Sequence, residues 1–273
     1  MKRNINNSVV IITGASSGIG MACAYAFFNE GAKLVLAARS EEIIKELADK
    51  FNANGTIRAI AVKTDVAVKN DCKHLIVKAI ETFGRIDILI NNAGVSMRAN
   101  FLDVKLDVIR KLMDINFWGT VYCTKYAYPF IIANKGSIVG VSSVAGIHGM
   151  PCRTGYSASK HAMQGFLDTI RIETMKKGIQ VLIVIPGFIS TNVRKTALVA
   201  DGSAQGESPR DESKMMSPEE LAKRIVKSIK NNKSYLVPSY EGKYTPIFSI
   251  LFPRLVDKIY YKLMKKEPNS PLD

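Results

Sequence analysis

The feature that most constrains this chain is a junction near its start. A short apolar run, Val9-Val10-Ile11-Ile12, ends in Thr13 and passes directly into Gly14-Ala15-Ser16-Ser17-Gly18-Ile19-Gly20, after which the sequence becomes helix-like up to Gly31. An unbroken apolar run of that length, bounded by turn residues, reads as a strand buried on both faces. Gly31 suits the left-handed position that closes a helix. Between the two elements the glycines are spaced G-x-x-x-G-x-G. Missing side chains let a main chain approach an anion closely, and a helix N-terminus offers it unbonded N–H groups and the positive end of a dipole. A glycine-rich turn at the first strand-to-helix junction therefore points to a nucleotide pyrophosphate. Gly14, Ser16, Ser17, Gly18, Ile19 and Gly20 are the expected cradle.

The alternation continues along the chain. Apolar runs at Lys33–Ala38, Arg58–Asp65, Ile86–Gly94, Gly136–Ser143 and Ile179–Gly187 predict strands, with a short last one in residues 234–239. Amphipathic stretches separate them, among them residues 106–131, which form one long helix or two. Buried strands alternating with helices predict an α/β fold, a single doubly wound domain of about seven parallel strands with helices on both faces. At 273 residues and 47% apolar content the chain can bury a sizeable core.

Several classes are disfavoured. The apolar run near the N-terminus is too short for a signal peptide, and no stretch approaches the length of a membrane span. Cys23, Cys72, Cys123 and Cys152 are scattered, and with His74, His148 and His161 give no metal-ligand spacing. This implies reduced thiols in a cytoplasmic protein without a metal centre. A net charge of +14 raises the question of nucleic acid, but no basic run is interleaved with aromatics, so none is expected.

Two further positions concern the nucleotide. Arg39 ends the second strand, where an acidic residue would bind a ribose 2′-hydroxyl. A guanidinium there favours a 2′-phosphate instead, hence NADP(H) over NAD(H). Asp65 closes the third strand; it either accepts a hydrogen bond from an adenine amino group or serves only as a turn residue, with Val66 beside it. Tyr156 and Lys160 are spaced four apart, on one face if helical. A lysine there favours the phenolate and lowers the tyrosine pKa, tuning a proton-transfer pair.

Residues 13–20 (TGASSGIG), 91–94 (NNAG), 116–119 (NFWG), 142–143 (SS), 156–160 (YSASK) and 186–191 (PGFIST) occur in the order of the short-chain dehydrogenase/reductase family, which the chain resembles over about residues 7–240. The resemblance implies an enzyme that interconverts a carbonyl and an alcohol with a nicotinamide nucleotide. It implies that Tyr156 is the general acid/base and that Lys160 tunes it and holds the nicotinamide ribose. Ser143 would hydrogen-bond the substrate oxygen, with Ser142 only packing or capping. Asn116 would hold a water that relays protons to Lys160. Asn92, Ala93 and Gly94 would line the cofactor, and Pro186, Gly187, Ile189 and Thr191 would border its nicotinamide and phosphates. Assembly as a homodimer or homotetramer is also implied, through the long helices holding Asn116 and Tyr156.

Residues 188–217 are expected to be a mobile lid over the substrate, with Met150, Phe188, Met215 and Met216 as an apolar lining. Residues 244–266 are basic and amphipathic, with Phe248, Leu251, Leu255 and Ile259 at helical spacing and Pro253 interrupting. They either pack on the subunit or across an oligomer interface, or contact a membrane surface peripherally. The lid and tail resemble the dehydrogenase/reductase member 7 and 11β-hydroxysteroid dehydrogenase branches, which implies a hydrophobic lipid, steroid-like or acyl substrate; the N-terminal anchor common there is not expected here. A nucleotide-sensing regulator without turnover and a membrane-surface scaffold are the rival functions.

Overall fold

Val9 to Ile12 show why the sheet is covered on both sides. Alternate side chains of a strand point oppositely, and here both directions lead into apolar core. In the computed structural model, which describes residues 2–212 and 215–272, β1 (Val9–Thr13) sends Val10 and Ile12 into a core with Phe27 of α1 (Gly18–Asn29), Ile44 of α2 (Glu41–Phe51) and Ile225 of α7 (Pro218–Lys230). Val9 and Ile11 join Leu75 of α3 (Lys69–Phe83), Ile131 of α5 (Gly119–Ala133) and Leu167 of α6 (Thr154–Glu173). Each such side chain contributes about 1.5–3 kcal/mol by leaving water.

The other strands are β2 (Lys33–Ala38), β3 (Ala59–Lys63), β4 (Ile88–Asn91), β5 (Ser137–Val141), β6 (Gln180–Val184) and β7 (Tyr235–Leu236). They form one seven-stranded parallel sheet in the order β3-β2-β1-β4-β5-β6-β7. The order reverses between β1 and β4, which opens a crevice at the carboxyl edge where ligands of such sheets bind. The expected strands therefore appear, but shorter at that edge. Asn92–Gly94, Ser142–Ser143 and Ile185–Gly187 are loop, not strand.

Helix ends follow their local chemistry. Gly31, at φ +85°, closes α1; its N–H bonds Phe28 O and that of Ala32 bonds Phe27 O. Residues 106–131 make one continuous rod, in which α4 (Leu106–Leu112) passes through a π-helical segment (Met113–Trp118) into α5. The tail is broken where expected: α8 (Tyr240–Leu251) stops at Phe252, and Pro253 opens α9 (Pro253–Lys265). Among the described residues no helix is long and apolar enough to cross a membrane. The four cysteines are buried and unbridged.

Candidate active site

The turn from β1 to α1 is held open by backbone geometry. Gly14 has φ +67°, which a side chain rarely tolerates, and a Cβ on Gly20 would stand 2.1 Å from Gly14 O. Asn92 pins this turn from the neighbouring strand: its Nδ2 donates to Thr13 O at 2.9 Å, while Thr13 Oγ1 accepts from the N–H groups of Asn92 and Ala93, each at 3.0 Å. Ser17, extended, precedes α1; its main-chain oxygen accepts from Met21 N at 3.2 Å, but its side chain caps no N–H of the first turn. The N–H groups of that turn thus lack a side-chain cap in a cradle no Cβ fills, which is what a pyrophosphate requires. A nicotinamide dinucleotide fits these residues on that ground.

From this turn a cavity of about 1040 Å³ runs across the crevice, at the upper end of the roughly 300–1,000 Å³ typical of small-molecule sites. Gly14, Ser16, Ser17, Gly18, Ile19, Arg39, Asp65, Val66, Asn92, Ala93, Gly94, Ser143, Tyr156, Lys160, Pro186, Gly187, Ile189 and Thr191 all line it; Gly20 and Asn116 lie behind its wall. Arg39 is exposed at the rim and bonds no described residue. Asp65 does serve its turn, since Oδ1 accepts from Ala67 N at 3.0 Å, yet it also lines the cavity.

Asn116 sits in the π-helical segment, a type of irregularity that often marks functional positions. Its Oδ1 accepts from Val95 N, and its Nδ2 donates to Val95 O and Ser159 Oγ, each at 2.9 Å. The main-chain oxygen accepts from Thr120 Oγ1. Such a side chain is committed to fixing β4's outgoing loop against α6. A Cβ on Gly94 would fall 3.0 Å from Asn116 Oδ1 and 3.4 Å from Lys160 Nζ, so the missing side chain keeps these three positions close.

Lys160 follows Tyr156 by one turn of α6, as the spacing predicts. Its Nζ donates to Val141 O at 2.8 Å and stands 5.9 Å from the Tyr156 ring centre. Burial brings the ammonium from 10.5 down to about 8. The expected lowering of the tyrosine pKa is not what the protein alone produces. Burial raises it, and a hydrogen bond from Ser143 and the charge of Arg153 pull against that rise. The cation acting on the phenol is thus Arg153, which the spacing argument overlooked although it lies one helical turn before Tyr156. Ser143 also caps a short turn, its Oγ accepting from Ala145 N at 3.2 Å. Ser142 is buried and its Oγ accepts from Gln164 Nε2 at 2.7 Å, in keeping with a packing role.

Residues 188–212 carry their own bonding. Arg194 pairs with Glu212 at 2.8 Å and donates to Ile189 O, and Leu198 N bonds Ser96 O. Ser213 and Lys214, within the expected lid, lie outside the described residues. Met150 and Phe188 line the cavity, whereas Met215 and Met216 do not. Instead, the far wall is built by the tail: Tyr244, Phe248, Leu255, Ile259 and Leu263 face the cavity. Their helical periodicity was visible in the sequence; their destination was not, because nothing local says which surface an amphipathic helix will cover.

Comparison with known proteins agrees with this geometry. The family model described as short chain dehydrogenase matches residues 8–200. The chain is 37% identical over 276 residues to dehydrogenase/reductase SDR family member 7B of Rattus norvegicus, covering 98% of this chain and 85% of that protein. It is 36% identical to a dehydrogenase/reductase SDR family protein 7-like of Anopheles gambiae, covering 97% and 84%. Among solved structures, a short chain dehydrogenase/reductase from Burkholderia phymatum in complex with NAD shares the fold with a TM-score of 0.82 at 24% identity, over 93% of this chain and 96% of that one. An alcohol dehydrogenase from the archaeon Thermococcus sibiricus complexed with 5-hydroxy-NADP does so with a TM-score of 0.76 at 22% identity, over 85% and 96%. A family match across most of the chain, with relatives similar over nearly all of it, makes the kinship plain: this protein belongs to the short-chain dehydrogenase/reductase family.

Proposed function

We propose that the protein is an NADP(H)-dependent reductase of a ketone or aldehyde on a hydrophobic substrate. The observation that carries the proposal is the meeting of Ser143, Tyr156 and Lys160 with the glycine cradle in one cavity. When bound, the nicotinamide nucleotide supplies the hydride. Tyr156 then gives its proton to the substrate oxygen, and Ser143 donates a hydrogen bond to the same atom, so that the developing negative charge is met as it forms. The Ser143 hydrogen bond and the charge of Arg153 pull the phenol back toward acidity against the effect of its burial.

Arg39, exposed at the rim and committed to no described partner, supports a 2′-phosphate and hence NADP(H). The apolar side chains that the tail turns to the cavity support a lipophilic substrate. Away from the cavity, α8 and the residue that ends it carry Ile247, Ile250, Leu251 and Phe252, each more than half exposed, with Arg254, Lys258 and Lys262 nearby; this supports peripheral contact with a membrane by a cytoplasmic protein. Exposed Trp118, stacked on Tyr122 along the α5 rod, supports a homo-oligomer formed through that face. Residues 188–217 are proposed as the cover over the substrate.

The test is oxidation of NADPH and NADH, followed by absorbance, against carbonyl compounds from short diketones to steroids and 3-oxoacyl chains. Tyr156→Phe should lose about 10²–10⁴-fold in kcat. Arg39→Ala should raise the NADPH KM about tenfold and leave NADH unaffected. Tight cofactor binding with no turnover on any carbonyl would move the assignment to a nucleotide sensor.

A further inference from the structure

At the substrate end of the cavity two guanidinium groups share one carboxylate, and a third lies within its field. Glu267 Oε2 lies 3.2 Å from Arg98 Nε, and its Oε1 lies 2.5 Å from Arg210 Nε. The side chains of Arg98, Arg210 and Glu267 are only 8%, 17% and 5% exposed. Arg153 is subject to the same carboxylate, and to repulsion from Arg98 and Arg210. Three positive charges against one negative leave an excess of two. Of the acids nearby, Glu212 is paired with Arg194. An excess of like charge away from water is costly unless an anion joins it.

Two of these arginines reach the ligand space. Arg153 and Arg210 line the cavity, and Arg153 is fixed there by donation from Nη1 to Met97 O. Arg153 is the residue just before α6, three before Tyr156, and its charge acts on the Tyr156 phenol. The group lies far from the proposed 2′-phosphate position. Arg39 follows β2 and Tyr156 follows β5, three strand spacings or about 14 Å across the sheet. The tail's Phe248, Leu255 and Ile259 supply an apolar wall to the same cavity.

We propose that Arg153 and Arg210 form an anion subsite for the substrate, which carries a carboxylate or phosphate group near its carbonyl and an apolar chain beyond it. This rests on the reading that the cavity takes a carbonyl substrate beside Tyr156. Glu267 sets the strength of the subsite: it holds Arg98 and Arg210 in place while leaving a net positive charge for the ligand. Because Glu267 comes from the C-terminal end, the subsite is complete only when the tail is docked.

The experiment is calorimetric titration of the NADPH-saturated protein with octanoate, octyl phosphate and octan-1-ol. At least one anion should bind ten times more tightly than the alcohol or better, and the stronger of the two names the group. Arg153→Met should bring both anions to the level of octan-1-ol without weakening the alcohol, while Arg153→Lys keeps the preference. If Arg153→Met does not fold, Arg210→Met is read by the same criterion. Equal affinity for all three probes, no binding of either anion, or a preference that survives the methionine variant overturns the proposal. Turnover of neutral ketones without anion preference would sink the subsite alone; anion preference without turnover on any carbonyl would sink the reductase reading alone.

Discussion

Two helices that share a core begin in opposite ways. Both α1 and α7 follow a serine in extended conformation, Ser17 and Ser217. Ser217 Oγ accepts from Glu220 N at 3.1 Å, Pro218 occupies the first helical position, and Glu219 and Glu220 complement the dipole. Ser17 caps nothing, and the first turn it precedes, Gly18-Ile19-Gly20, has no acid. One end satisfies itself with its own side chains. The other leaves its donors for a ligand and uses glycine where the turn has no room or no backbone conformation for a side chain. The difference teaches where to look for function: at groups that the fold could have satisfied locally and did not. Lys160, a buried ammonium with no carboxylate partner among the described residues, belongs with Ser17 in this respect.

The largest break in the comparison should come from Gly20→Ala. Its Cβ would meet Gly14 O at 2.1 Å, and that carbonyl belongs to the cradle itself. Nucleotide affinity should fall at least a hundredfold in a fluorescence titration, with about 1–3 kcal/mol of stability lost to overpacking. Gly165→Ala on α6, where nothing lies within 4 Å of the added carbon, should instead leave affinity alone and gain about 0.5–1 kcal/mol. Equal behaviour of the two variants would mean that the turn at Gly20 is not held tight.

Lys160→Met should come next, in the absence of nucleotide. Burial moves this ammonium from 10.5 to about 8. At pH 7 it is charged both folded and unfolded, so the folded chain bears the whole cost of burying the charge. Between pH 8 and 10.5 the folded chain releases the proton first, and the cost fades as pH rises. Two and a half units correspond to about 3 kcal/mol, less what is lost by unpairing Val141 O, about 1–3 kcal/mol. The variant should therefore be more stable than the parent by roughly 1 kcal/mol at pH 7 in chemical denaturation. That advantage should be gone near pH 10. A variant less stable than the parent at pH 7 would show that the lysine belongs with Ser217, as a residue chosen for the fold.

How far the sequence carries follows the same division. The strand cores, the glycine turn, the Gly31 and Ser217 helix ends and the Tyr156–Lys160 face were legible because each depends on residues close together in the chain. Strand ends were overrun at Asn92–Gly94 and Ile185–Gly187, since apolar patterning continues into loops that turn toward the ligand. The direction of the Tyr156 shift was misjudged because burial is a tertiary property that spacing does not carry. Arg98, Arg153, Arg210 and Glu267 were invisible as a group: up to 169 residues separate partners such as Arg98 and Glu267, and no local pattern brings them together. The cavity wall from α8 and α9 was hidden for the same reason, although its apolar periodicity was plain.

The smallest effects decide the comparison most directly. Ser217→Ala removes the hydrogen bond to Glu220 N and should cost about 1 kcal/mol of stability, the ordinary value of an N-cap. It touches nothing in the cavity, so nucleotide affinity should stay as it was. Ser17→Ala removes a hydroxyl that caps no N–H, so denaturation should shift by less than about 0.5 kcal/mol. Its loss should appear in the nucleotide titration, where one hydrogen bond to a charged group is worth about 1.5–3 kcal/mol at most and a few-fold at the exposed end of a cavity. The two serines thus predict a crossed result, one variant altered in stability and the other in affinity. If Ser17→Ala destabilises the free protein as much as Ser217→Ala does, the hydroxyl is capping α1 in solution. The first helix would then be satisfied by its own serine, and a ligand would have to displace that bond before it could bind.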